Sequence, residues 1–203
     1  MVMKPEHQDV LRAAIRIAYG IHRLQVRKGS DLPYIVHPME VMKRVADLGI
    51  VDVVTLAAAV LHDTLEDAYD DEHRRRVREE IGSLGSPIGL GVLRVVEELT
   101  YYPSKGPKSV YIESFVAKSV EALVIKVVDR AVNIMDFDLA GDDYAEEYAG
   151  KGAILFQLAI GHTEPYGRIG DDIKAKYGSL ALTRLQALAE QAWLNYTFPE
   201  PTT

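Results

Sequence analysis

Apolar side chains recur every three or four residues over most of this chain, which is the period of an α-helix facing a core. Over residues 6–24 they fall at Val10, Leu11, Ala14, Ile15, Ile17, Ala18, Ile21 and Leu24. The run Lys28-Gly29-Ser30-Asp31-Leu32-Pro33 breaks the pattern and reads as a loop. Pro38 suits a first helical position and opens a helix to about residue 48, which Gly49 ends. Asp52 is a fair N-cap for a helix over 53–67. Residues 69–80 are dense in charge, as a solvated helix or loop would be. Gly82, Gly85, Pro87, Gly89 and Gly91 mark a connection before a helix over 92–99. A loop over 101–107 follows, then a helix over 109–119.

The stretch from Ala122 to Val128 is rich in β-branched residues and could be a strand. The apolar pattern continues through Ala131, Val132, Ile134 and Met135, four turns in all, and this favours a helix. Residues 143–160 and 165–196 alternate Ala, Leu and charged side chains as helices do. No strand pair or internal repeat stands out. The pattern predicts an all-α helical bundle forming a single domain over 1–203.

Charge and composition narrow the function. The formal net charge is −7 and no stretch is strongly basic, which argues against a general DNA or RNA binder. There is no cysteine, so any metal must be held by histidine and carboxylate. No apolar run approaches the roughly 18 residues of a membrane span. The N-terminus lacks the apolar core of a signal peptide, so a cytoplasmic location is expected. A homo-oligomer is left open.

One cluster stands out against this background. His62-Asp63-Thr64-Leu65-Glu66-Asp67 follows directly on the apolar run Leu56–Leu61. Ionisable groups at the end of a buried helix are costly unless they are paired or bound to metal. On a continuing helix His62 and Glu66 would share a face, as would Asp63, Glu66 and Asp67. Two further candidates lie elsewhere: His37, between Val36 and Pro38, and Asp129, which interrupts an apolar run. Two histidines and two aspartates form a mixed N/O set suited to manganese, iron, zinc or another first-row divalent ion. Taken singly each has a plainer reading. His37 could be a cap or a surface residue, Asp129 could pair with Lys126 or Arg130, and His62-Asp63 could be the polar end of a helix. His7, His22, His73 and His162 lack such company and read as structural or surface residues.

The blocks Gln25–Lys28, Pro33–Pro38, Ala58–Asp67 and Lys126–Asn133 resemble, in order and approximate spacing, the HD-domain metal-dependent phosphohydrolases. The closer likeness is to the hydrolase domain of the RelA/SpoT enzymes, which degrade the alarmones ppGpp and pppGpp. It covers about residues 8–138, with the helices of 143–196 expected to pack on that core. The resemblance implies that His37, His62, Asp63 and Asp129 bind one manganese ion. It implies that Glu66 and Asp67 position and deprotonate the attacking water. Arg27 would lie against the guanine base with Lys28 nearby, and Asn133 would contact the nucleotide. The implied reaction removes the 3′-pyrophosphate to give GDP or GTP and pyrophosphate. The several hundred further residues of the synthetase and regulatory domains are not in this sequence, so a stand-alone small alarmone hydrolase is expected.

The substrate is polyanionic and needs a local basic lining, for which Arg27, Lys28, Lys105, Lys108, Lys126 and Arg130 are candidates. Three departures from the family pattern bear on the substrate. The 28–33 loop is one residue longer than usual, Met135 stands where an arginine is common, and the likeness fades after Asp138. Tyr148 is the candidate for a nucleotide-binding tyrosine in that last region. An adenine alarmone or a nucleoside 5′-monophosphate is the alternative substrate. A catalytically silent alarmone-binding module is the alternative class, disfavoured by the presence of both Glu66 and Asp67.

Overall fold

A computed structural model describes residues 3–28, 31–135, 152–159 and 167–197. Tyr148, His162 and most of the 143–160 segment lie outside the described residues. Among those described, the structure is helical, with one isolated bridge between Val26 and Pro33 as the β pairing. The helices are α1 (Pro5–His22), α2 (Val36–Asp47), α3 (Val53–Leu61), α4 (Asp71–Gly82), α5 (Ile88–Leu99), α6 (Lys108–Glu113) and α7 (Val120–Met135). A helical segment over 152–159 (α8) precedes α9 (Gly167–Tyr177) and α10 (Ser179–Thr197). The all-α expectation is met.

The chain divides into two compact units. The first comprises Met1–Arg27 with Asp31–Lys105, and the second Lys28–Ser30 with Gly106–Thr203. In the first, α3 is the central element, buried at every position but Val54 and packed by α1, α2 and α5. α1 turns Val10, Ala14, Ala18 and His22 inward, one residue per turn on a single stripe. Asp52 caps α3 as expected: its Oδ2 accepts from the Thr55 amide at 2.9 Å and from Thr55 Oγ1 at 2.6 Å. In the second unit, α7 is buried from Glu121 to Ile134 and is packed by α9 and α10.

Four boundaries differ from the sequence expectation, each for a physical reason. α2 starts at Val36, so Pro38 sits inside the first turn, where a missing N–H leaves no bond unmade. α3 ends at Leu61 and not near Asp67. Both the Thr64 amide (3.0 Å) and its hydroxyl (2.7 Å) close on the Leu61 carbonyl, which replaces the helical ladder by tighter turns. α5 begins four residues early, at Ile88, because Gly89 is a packing residue rather than punctuation. A Cβ there would stand 2.6 Å from the Gly82 carbonyl oxygen and 2.7 Å from that of Ile81. The 109–119 segment ends as an α-helix at Glu113 and tightens into a 3₁₀ turn, Ser114–Ala117, with Ser114 Oγ donating to Tyr111 O at 2.6 Å. At the C-terminal end, Gly178 (φ 88°) separates α9 from α10.

Gly89→Ala is therefore expected to destabilise the protein by about 1–3 kcal/mol, through overpacking against backbone that cannot yield. Chemical denaturation would register this as a lower midpoint, and an unchanged midpoint would contradict the packing role.

Candidate metal centre and active site

The first unit builds its polar centre around the end of α3. His62 is the C-cap residue of α3 and is buried, and His37 lies buried in the first turn of α2. Each offers a ring nitrogen, and the two ligand atoms lie within 4.8 Å of one another. Asp63 follows on the turn, and its Oδ2 lies 3.0 Å from His62 Nε2 and 3.8 Å from His37 Nε2. Ligands held at about 2.1 Å from one ion stand roughly 3.0–3.5 Å apart; the His62–Asp63 pair has that spacing, His37 stands slightly wider, and the three offer the donor chemistry of a divalent-metal site.

The surroundings prepare these ligands. His62 Nδ1 lies 2.8 Å from the Ala59 carbonyl oxygen, which can only accept, so the proton sits on Nδ1 and Nε2 keeps its lone pair. Tyr34 donates to Asp63 Oδ2 at 2.6 Å and fixes the carboxylate. Short backbone pairing positions Tyr34: its amide donates to Gln25 O and the Arg27 amide donates to Leu32 O, both at 2.9 Å. The same pairing sets the Arg27 guanidinium 5.8 Å from the centre of the Tyr34 ring, so Arg27 reaches the rim of this centre. Lys28 is exposed.

Because α3 stops at Leu61, Glu66 and Asp67 leave on a turn and not on the helix face expected from the sequence. Glu66 is exposed, and its Oε2 accepts from the Tyr101 amide at 3.1 Å. Asp67 is partly buried, with Oδ2 3.5 Å from His22 Nδ1. In the second unit, Asp129 is buried on α7. Its Oδ2 lies 2.9 Å from Lys126 Nζ, and its Oδ1 accepts from Asn133 Nδ2 at 2.7 Å. Asn133 and Lys126 thus hold a buried carboxylate ionised and oriented, the state a metal ligand requires.

Residues 14–157 match the family profile described as an HD domain. The chain belongs to the HD-domain family.

This HD domain is 33% identical over 141 residues to the human guanosine-3′,5′-bis(diphosphate) 3′-pyrophosphohydrolase MESH1, covering 67% of this chain and 73% of that protein. It is 30% identical over 130 residues to the Aquifex aeolicus guanosine-3′,5′-bis(diphosphate) 3′-pyrophosphohydrolase, covering 64% of this chain and 18% of that one. A probable GTP pyrophosphokinase of Mycobacterium leprae is 34% identical over 127 residues, covering 62% of this chain. The chain spans only 16% and 18% of the length of these last two relatives. A solved structure reported as a metazoan ortholog of SpoT that hydrolyzes ppGpp has a TM-score of 0.62 at 21% identity, covering 94% of this chain and 97% of that one, and so shares the fold.

Two neighbours of the candidate ligands have no role in the sequence-based expectation for this HD domain. Tyr34 lies 29 residues from Asp63 in the chain, a distance no local pattern reveals. His22, read as structural or surface, is fully buried with Nδ1 2.7 Å from Gln25 Oε1 and beside Asp67. Its signal was present, since it falls on the buried stripe of α1 one turn after Ala18. Tyr34→Phe is expected to weaken metal affinity about 10- to 100-fold, as loss of a ligand-orienting bond does. A Mn²⁺ titration of the apoprotein measures this, and unchanged affinity would remove Tyr34 from the site.

Proposed function

We propose that this HD domain hydrolyses the 3′-pyrophosphate of the guanosine alarmones ppGpp and pppGpp, giving GDP or GTP and pyrophosphate, with one manganese ion. The carrying observation is that the turn bearing His62 and Asp63, the two proposed metal ligands, also bears the carboxylates of Glu66 and Asp67. The names of the human and Aquifex relatives support the same reading. We read residues 1–203 as one HD hydrolase domain.

His37 and His62 would hold the ion through Nε2, Asp63 through Oδ2, and Asp129 would add the fourth protein ligand. When bound, such an ion lowers the pKa of its water and offsets charge on phosphoryl oxygens. Glu66, exposed and hydrogen-bonded by the Tyr101 amide, takes the proton from the attacking water. Asp67, beside buried His22, orients that water. Arg27, partly buried beside Tyr34, would receive the base with Lys28 nearby, Asn133 would contact the nucleotide, and Lys126 would add to the basic lining. Tyr148 remains a candidate contact from the resemblance alone. A cytoplasmic nucleotide pool is the setting this reading implies.

A substrate panel tests the base preference, because the 28–33 loop departs from the family pattern. Metal-stripped protein is loaded with Mn²⁺ and offered ppGpp, pppGpp, the adenine counterparts and nucleoside 5′-monophosphates. The expected kcat/KM for guanosine alarmones exceeds the others by about tenfold or more, which corresponds to a single well-placed base contact. Equal or reversed ranking would overturn the guanine assignment.

A further inference from the structure

The charge-dense stretch 69–80, expected as a solvated helix or loop, is mostly α4. Its arginines do two different things. Arg75 pairs within the helix, with Glu72 at 2.7 Å and Glu79 at 2.5 Å, and Arg76 lies 3.6 Å from Glu72. Arg74 and Arg78, one turn apart on the less exposed face, also reach off the helix, Arg74 while donating through Nη1 to Asp71 in the first turn.

Arg74 Nε donates to the Leu65 carbonyl at 2.9 Å, which fixes the peptide just before Glu66. Arg78 donates through Nε to Glu97 Oε1 on α5 and through Nη2 to the Tyr102 hydroxyl at 2.6 Å. Tyr102 in turn donates to Glu97 Oε2 at 2.8 Å, closing a three-membered ring of bonds. Lys105 Nζ caps the Tyr102 ring at 4.7 Å from its centre. Tyr102 is therefore tied to both α4 and α5, and the preceding peptide is tied with it. One peptide earlier in the chain, the Tyr101 N–H donates to Glu66 Oε2 at 3.1 Å. Thr100 sets the direction of the chain here, its amide (3.0 Å) and hydroxyl (2.8 Å) both closing on the Val96 carbonyl at the end of α5.

The charge states suit a permanent brace. Burial pushes the Glu97 carboxyl up, but the bonds from Arg78 and Tyr102 outweigh it and hold the group below its ordinary value of 4.5. Burial, then the bond to Glu97, pushes the Tyr102 phenol up from 10.0. The Glu97 contribution is present above 4.5 and is lost only as pH falls through its lower folded value. The Tyr102 contribution is present below 10.0 and is lost only as pH rises through its higher one. The brace stays intact between these limits.

We propose that Arg74 and Arg78, with Glu97 and Tyr102, are positioning residues for Glu66. Arg74 fixes the backbone that carries Glu66, and the Arg78–Glu97–Tyr102 ring fixes the peptide that holds its carboxylate. The inference rests on the general-base role given to Glu66 above.

Tyr102→Phe removes one oxygen and leaves the ring in place, while Arg78→Met and Arg74→Met remove the braces themselves. Each is measured for kcat, KM, bound Mn²⁺ and thermal midpoint with ppGpp, alone and in a Glu66→Gln background. The expected result is a fall in kcat of about tenfold to a hundredfold, as for a displaced catalytic group, with KM and bound metal unchanged. In the Glu66→Gln background the same changes should move the residual rate by less than about twofold, since sites that act as a unit are not additive. Unchanged kcat in folded Tyr102→Phe overturns the inference, and so does an equal loss in the Glu66→Gln background. If Arg78→Met does not fold, Tyr102→Phe decides alone. Glu66→Gln with full activity would sink the general-base reading and the inference with it. Glu66→Gln inactive beside fully active Tyr102→Phe would sink the inference only.

Discussion

His62→Ala and Asp63→Ala are each expected to lose the bound divalent ion and the hydrolytic activity together. His62 Nε2 and Asp63 Oδ2 stand 3.0 Å apart, and both are pre-set by their outer partners, Ala59 O and the Tyr34 hydroxyl. Removing either ligand discards that preparation and leaves the remaining donors too few to hold the ion. The fall in kcat/KM should exceed the roughly 10- to 100-fold that loss of an outer-shell partner costs, reaching on the order of a thousandfold. Metal content after gel filtration and the rate on ppGpp are measured on the same sample. A variant that keeps its metal, or loses metal and keeps its rate, contradicts the assignment.

Glu66→Ala should separate the two properties. Glu66 is on the same turn but aimed elsewhere: its Oε2 is on the Tyr101 amide, and Asp63 Oδ2 is the oxygen near the imidazoles. The variant is expected to bind Mn²⁺ with wild-type stoichiometry and to lose about 10²–10⁴-fold in kcat, the range for a general base. Full activity would remove Glu66 from the chemistry. Loss of metal would make it a ligand instead.

The helical course of the chain was largely legible because its determinants are local. The inward stripe of α1, the Asp52 cap and the four apolar turns of α7 are each written within one or two helical turns of sequence. The candidate ligands were legible for a different reason, since a histidine or carboxylate in an apolar run is anomalous wherever it occurs. What could not be read depended on contacts distant in sequence or on competition for one carbonyl. Thr64 ends α3 by taking the Leu61 carbonyl, so Glu66 and Asp67 lie on a turn and not on a helix face. Gly89 resembles a loop signal and is in fact required by the close approach of α4 backbone. Arg74 resembles a solvated charge and reaches Leu65, nine residues back, around a turn whose shape only the fold defines.

The central claim is metal-dependent removal of an intact 3′-pyrophosphate from a guanosine alarmone. Its most direct test is ppGpp labelled in the 3′-pyrophosphate, incubated with metal-stripped protein before and after addition of Mn²⁺, with separation of the products. The account predicts no release before addition, then labelled pyrophosphate and GDP in equal amounts. Label recovered as orthophosphate, or no release at micromolar protein with Mn²⁺ present, would contradict it.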